Sequence, residues 1–260
     1  MQAVFFFIPF PDRPDIAANY LQYLAATLRI NRKYFKKTLL YSSEATTFPA
    51  NLRIDEVIRL PSQYQDFPHF MRVMSWLHYL DSDCFDTDTV FLDADVVVNR
   101  ELNEVFENDF ALAFTARPST TYSCIDTGVI FARRAEKRVA IAHAEGLFRI
   151  AELVRLQKDL RYPNVEFAGI WGGDELCAYL YLNNIAAKRN TTLREVVTAV
   201  SFDEFKSFGE GISFFGGKFN VDYRNLSESE WNTPLAIHFP GVPKTKLFEY
   251  CERRQLDAPW

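Results

Sequence analysis

The sequence predicts an α/β protein, with a central, mostly parallel sheet flanked by helices, folded as one domain over residues 1–260. Three observations carry that expectation. Short runs rich in Val, Ile and Phe alternate with stretches of helical spacing in the order β-α-β-β-α-β, the pattern of parallel strands joined by crossover helices. A hydrophobic share of 48% and a mean hydropathy of -0.15 describe a globular chain with a core to bury. No repeat, low-complexity tract or shift in composition marks a linker.

Val4–Ile8 is the first strand, broken by Pro9 and Pro11. Asp15–Ile30 carries Ile16, Tyr20, Leu24 and Leu28 at helical spacing. Thr38–Tyr41 and Val57–Leu60 are short strands, and His69–Leu80 is an amphipathic helix. Val90–Leu92 is the next strand and runs straight into two aspartates. The second half is less regular. Ala111–Phe114, Gly128–Phe131, Ile212–Phe215 and Leu235–Phe239 have strand character, Arg134–Leu160 reads as one long or broken helix, and Asp174–Leu182 as another behind the turn Trp171–Gly173.

Composition excludes several function classes. A net charge of -5 and a pI near 5.5 argue against general nucleic-acid binding, which needs a basic surface. An anionic substrate would need local cations from Arg, Lys or a metal. Cys84, Cys124, Cys177 and Cys251 are far apart, which fits neither a zinc site nor a disulfide framework and suits a reducing, cytoplasmic setting. The opening MQAVFFFIPFPDRPD has no positive n-region and no A-x-A site, so it reads as a buried strand and not a signal peptide. No apolar run approaches the ~20 residues of a membrane span. The 24 Phe residues are mostly core material.

The stretch TVFLDADVVVN, Thr89 to Asn99, sets two carboxylates inside apolar sequence. An ionised carboxylate there is costly unless paired. If the backbone is extended, Asp93 and Asp95 face one point across Ala94. Two convergent carboxylates call for a cation, and ligands in parallel sheets sit beyond the carboxyl ends of strands. The bland alternative is an exposed strand end followed by a turn.

Three later stretches stand beside FLDAD: CIDTGVIF at Cys124–Phe131, WGGDELCAYLYLN at Trp171–Asn183 and IHFPGVPK at Ile237–Lys244. This ordered set resembles the retaining GT-A glycosyltransferases of the glycogenin and lipopolysaccharide galactosyltransferase group, often called family 8. That family has D-x-D at a strand end, then N-[ST]-G-V, D-Q before a helix, and H-F-x-G-x-x-K. The last pattern is matched at each fixed position from His238 to Lys244. Gly216–Asn220, GGKFN, is loosely similar to a further segment. The likeness runs from about Val4 to Lys244, with the tail from about residue 245 outside it.

The resemblance implies a GT-A fold and a metal-dependent retaining glycosyltransferase. Such an enzyme moves a sugar from a nucleotide-diphosphate donor, a UDP-sugar, to a glycan, lipid-linked or protein acceptor. Asp93, Asp95 and His238 would hold the metal, and their mixed oxygen and nitrogen donors suit Mn²⁺, with Mg²⁺ next. Asp93 would also reach the ribose. Gly241 would let backbone approach the pyrophosphate, Lys244 would offer it a point charge, and Arg72 matches a basic position near the diphosphate. Asp174, Glu175 and Asp126 would form the catalytic group. Loops such as Arg117–Ser123 and Arg161–Gly173 would set the donor sugar and acceptor. The tail KTKLFEYCERRQL reads as a terminal helix, with membrane association at most peripheral.

The chain departs from the family at two points. Asp126 stands where Asn is usual, and Glu175 where Gln is usual, which puts a potential nucleophile where the family has none. Lys-Pro-Trp becomes Lys244-Thr245-Lys246. Alternatives follow from the residues singly: His238 as a core histidine, Asp174 as a helix N-cap, Arg72 as a surface cation. FLDADVV also fits the haloacid-dehalogenase phosphatases, with Asp93 as nucleophile and Asp95 as acid, although that motif normally opens its chain. A nucleotide-sugar-binding module without turnover is the non-enzyme alternative.

Overall fold

Alternate residues of the inner strands face opposite ways, and both faces are apolar. Leu39 and Tyr41 point to one side and Leu40 to the other; Phe91 opposes Val90 and Leu92; Phe214 opposes Phe215. A sheet of such strands must be covered on both faces. The computed structural model describes residues 1–9, 14–49, 52–64, 67–117, 124–156, 173–240 and 245–256.

Along the chain run β1 (Gln2–Phe6), α1 (Pro14–Asn31), β2 (Lys37–Ser43), β3 (Glu56–Leu60), α2 (Pro68–Asp81), β4 (Thr89–Leu92) and β5 (Val96–Val98). There follow β6 (Leu112–Ala116), β7 (Ile125–Ala132), α3 (Lys137–Leu156), α4 (Gly173–Lys188) and α5 (Leu193–Thr198). The remainder is β8 (Phe205–Gly209), β9 (Ile212–Phe215), β10 (Val221–Asp222), β11 (Ala236–His238) and α6 (Thr245–Leu256). The expected strands and helices are present among the described residues, the helix expected at 134–160 as a 3₁₀ turn (Arg134–Glu136) and α3, with 157–160 and residues 171–172 of the expected turn outside the described residues; β5, β8, β10 and α5 are additional.

An eight-stranded sheet has the order β3-β2-β1-β4-β7-β6-β9-β8. β3, β2, β1 and β4 are mutually parallel, as are β6 and β9, whereas β7 lies antiparallel between β4 and β6, and β8 is an antiparallel edge. The α2, α3 and α4 helices cover one face, where Phe70, Met71 and Trp76 meet Ala144, Leu147, Cys177 and Leu182. On the other face Leu24 and Leu28 of α1 meet Phe5, Leu92 and Phe131. Each fully buried Leu or Phe contributes about 1.5–3 kcal/mol.

A second, three-stranded sheet has the order β10-β11-β5. Tyr23 and Ile30 of α1, Leu247 and Tyr250 of α6, Val97, Ile237 and Phe239 form its core. β4 and β5 therefore belong to different sheets, and the short connection between them carries the two aspartates. Among the described residues no helix is long and apolar enough to cross a membrane.

Candidate active site

The chain between β4 and β5 turns; it does not run on as one strand, as the apolar pattern suggests. Val96 N–H donates to the Asp93 carbonyl at 3.2 Å, closing a turn over Asp93, Ala94 and Asp95. The physical reason lies in the partners on either side. Asp93 N–H donates to Gly128 of β7, which ends the large-sheet ladder, and Phe239 N–H donates to the Asp95 carbonyl, which starts the small one. Helix α1 holds the turn from behind. Thr27 donates its hydroxyl to the Ala94 carbonyl at 2.9 Å. Asn31, fully buried, donates its amide to the Val96 carbonyl and accepts from Val98 N–H, both at 2.8 Å, and so caps the outer edge of β5.

β7 brings the next residues by breaking its own ladder. Phe114 opposes Ile130, but the next residue of β6, Thr115, opposes Asp126. The extra residues between them form a bulge, a device that re-aims side chains next to sites. Asp126 uses both oxygens: Oδ1 accepts from Gly128 N–H at 2.7 Å, and Oδ2 faces His238 Nδ1 at 3.3 Å and the Arg117 guanidinium. His238 ends β11, and its Nε2 lies 3.3 Å from Asp95 Oδ1 and 3.7 Å from Asp93 Oδ2. Ligand atoms of Asp93, Asp95 and His238 all fall within 4.8 Å of one another, close enough to hold one ion.

Arg72 is not a surface cation. It donates to Asp93 Oδ1 at 2.5 Å, Asp174 Oδ2 at 2.9 Å and the Thr127 carbonyl at 2.7 Å. Asp174, in the first turn of α4, also accepts from the Thr127 hydroxyl at 2.7 Å. The approach of α4 requires Gly173, because a Cβ there would meet His69 Cγ of α2 at 2.5 Å. On the far side Arg117 reaches Glu175 Oε1 at 3.5 Å. The side chains thus string acids and bases alternately around a ring, Asp174, Arg72, Asp93, His238, Asp126, Arg117 and Glu175, whose two acidic ends meet as sequence neighbours in α4, while Asp95 joins it at His238.

Burial and neighbours move the protons in this ring. Burial, with Asp95 beside it, pushes Asp93 up to about 6 despite Arg72. Burial also works against ionised Asp126, but His238 and Arg117 outweigh it and hold that carboxyl far below the usual range. His238 is opposed by burial yet raised well above the ordinary imidazole value by Asp126 and Asp95. Glu175 is pushed up to about 8 by burial first and then by the charge of Asp126, with Arg117 acting the other way. Five carboxylates face two guanidiniums and one imidazole. A divalent cation at Asp93, Asp95 and His238 fits that donor set and would offset the excess negative charge.

The ring unites Arg72, Asp93, Asp95, Asp126, Asp174, Glu175 and His238, all singled out from sequence. Gly241 and Lys244 lie outside the described residues, as do 118–123 and 161–172 of the two loops. Thr27 and Asn31 were not foreseen as site residues, Thr127 stood only inside the stretch CIDTGVIF, and Arg117 only as the start of a loop expected to set donor sugar and acceptor. Each acts through a contact with another part of the chain, and only a polar residue in an apolar setting, such as Thr27 between Ala26 and Leu28, hints at it.

No protein-family profile matches this sequence, and no curated protein matches it. Solved structures do. LgtC, a galactosyltransferase in complex with donor and acceptor sugar analogues, superposes with a TM-score of 0.54 at 15% identity, covering 98% of this chain and 94% of LgtC. An active-site glutamine-to-glutamate variant of LgtC gives 0.57 at 14% identity over 100% and 98%. A glycosyltransferase involved in glycosylation of the major capsid of PBCV-1 gives 0.54 at 12% identity over 97% and 100%. The fold of this chain is the GT-A fold of these glycosyltransferases.

Proposed function

We propose that the chain is a metal-dependent, retaining glycosyltransferase that takes its sugar from a UDP-sugar and delivers it to a carbohydrate-containing acceptor. The observation that carries this reading is the meeting of Asp93, Asp95 and His238 beside Arg72, at the carboxyl end of β4, in a GT-A fold. Asp93, Asp95 and His238 would hold Mn²⁺ or Mg²⁺, which when bound offsets charge developing on a departing diphosphate. Arg72 adds a fixed guanidinium on the same side, and Gly241 and Lys244 would complete the phosphate contacts from the loop after β11. Asp174 and Glu175, at the start of α4, would orient the donor sugar and stabilise positive charge at its anomeric carbon. Asp126 faces Nδ1 of His238 and would keep the proton on that nitrogen, so that Nε2 could ligate once it gives up its own proton.

Thermal denaturation with UDP, with and without Mn²⁺, tests the reading. Ligand at a hundred times its dissociation constant adds about 2.7 kcal/mol of stability, and that gain should need the metal and vanish in Asp95→Ala. Equal stabilisation of Asp95→Ala by UDP and Mn²⁺ would overturn the donor site. Binding without transfer to any acceptor would favour the module that has lost turnover.

A further inference from the structure

The ring contains one cation that the proposed chemistry does not employ. Arg117 follows β6 directly, and its side chain is 30% exposed. One guanidinium nitrogen meets Asp126 Oδ2 and the other lies 3.5 Å from Glu175 Oε1. The two acids come from different elements, β7 and the first turn of α4; Asp126 also faces His238, but among the described residues only Arg117 pairs with both acids, since Arg72 serves Asp93 and Asp174. Asp126 is 3% exposed and the Glu175 side chain 17%. Two carboxylates this close in a dry setting repel each other unless a cation lies between them.

We propose that Arg117 is a positioning residue of the transfer site: its forked guanidinium ties Glu175 to Asp126 and so fixes the start of α4 against the bulge of β7. A planar fork suits two acceptors on separate elements, which a lysine ammonium would grip as a point charge only. The consequence reaches His238, because the Asp126 oxygen that Arg117 engages is the one facing Nδ1. Loss of Arg117 frees the Glu175 side chain to swing and leaves the buried Asp126 carboxylate with one of its two cationic neighbours gone.

The test is a cycle of four proteins: the parent, Arg117→Met, Asp126→Asn with Glu175→Gln, and all three substitutions together. Arg117→Met should lower the denaturation midpoint of the parent by about 5–10 °C, and by less than half as much where both acids are already neutral. Sugar transfer should show the same dependence. In the parent background kcat should fall by about 100-fold with donor KM nearly unchanged; in the neutral background the same substitution should cost little. If Arg117→Met alone does not fold, folding of the triple variant is the expected rescue, and its failure would overturn the proposal. Equal losses of midpoint in both backgrounds would do so too, as would an unaffected kcat. The kinetic half rests on the transferase reading. A parent that transfers no sugar would refute that reading, while the denaturation cycle would still decide the place of Arg117.

Discussion

His238 lies directly against the bare backbone of Gly128. A Cβ on that glycine would stand 2.7 Å from His238 Cε1, 2.9 Å from Nδ1 and 2.9 Å from Asp126 Oδ1. None of these atoms can easily give way, because the imidazole is held by Asp126 on one edge and Asp95 on the other. Gly128→Ala should therefore displace the imidazole from Asp93 and Asp95. We expect a stability loss of about 1–3 kcal/mol and metal-dependent UDP binding at least about 10-fold weaker. Titration calorimetry that finds parental affinity in this variant would contradict the role given to His238.

Asn31 offers a test of what supports the aspartate turn. Replacing it with Leu keeps the branched shape but leaves the Val96 carbonyl and Val98 N–H without their partner. Each unpaired buried group costs about 1–3 kcal/mol, so urea denaturation should show a loss of about 2–5 kcal/mol. Val96 adjoins Asp95, so Mn²⁺-dependent UDP binding should weaken as well. A stable variant with intact binding would show that β5 needs no cap.

Glu175 should leave a signature in the pH dependence of stability. Its carboxyl is pushed up to about 8 by burial and by Asp126, from an ordinary value of 4.5. Between those two values the folded protein keeps a proton that the unfolded chain has released, so this group's contribution falls as pH rises and levels off above about 8. Glu175→Gln has no such proton. Its stability relative to the parent should grow by about 1–4 kcal/mol between pH 4.5 and pH 9. A difference that stays flat across that range would mean that Glu175 is ionised throughout.

The same residue distinguishes two routes to retention. If Glu175 orients the sugar, Glu175→Gln should keep measurable transfer, while Glu175→Ala should lose far more in kcat than in donor affinity. Equal inactivity of the two, with donor still bound, would point to a nucleophile. Proton NMR of the first product should show the α configuration of the donor retained, and a β linkage from a UDP-α-sugar would refute the retaining assignment.

Local pattern made most of the sheet legible. Val90–Leu92 and Ile212–Phe215 are apolar enough to read as buried strands, and His69–Leu80 has the spacing of a helix laid on them. β8 and β10 lacked that signal for physical reasons. Phe205–Gly209 is a half-buried edge with a bulge at its glycine, and Val221–Asp222 is too short to alternate. The aspartates were read as facing one point along an extended strand, and they do converge, but by a turn between two sheets. No property of Asp93 or Ala94 alone reveals that, because β7 and β11 supply the hydrogen bonds that divert the chain. That Arg117 pairs two acids was not legible for a similar reason: its partners belong to β7 and α4.

The division of the site between two sheets also bears on how the protein is made. Asp93 and Asp95 leave the ribosome well before the strand that brings His238 and the Phe239 N–H that fastens the turn. Until β11 threads in beside β5, the nascent chain carries paired acids with neither their imidazole nor their fastening. Contacts so distant in sequence form late and slowly. An assembled cluster of Asp93, Asp95 and His238 is then a report that the chain has been translated and folded through β11, and a fragment that stops before β11 would lack it.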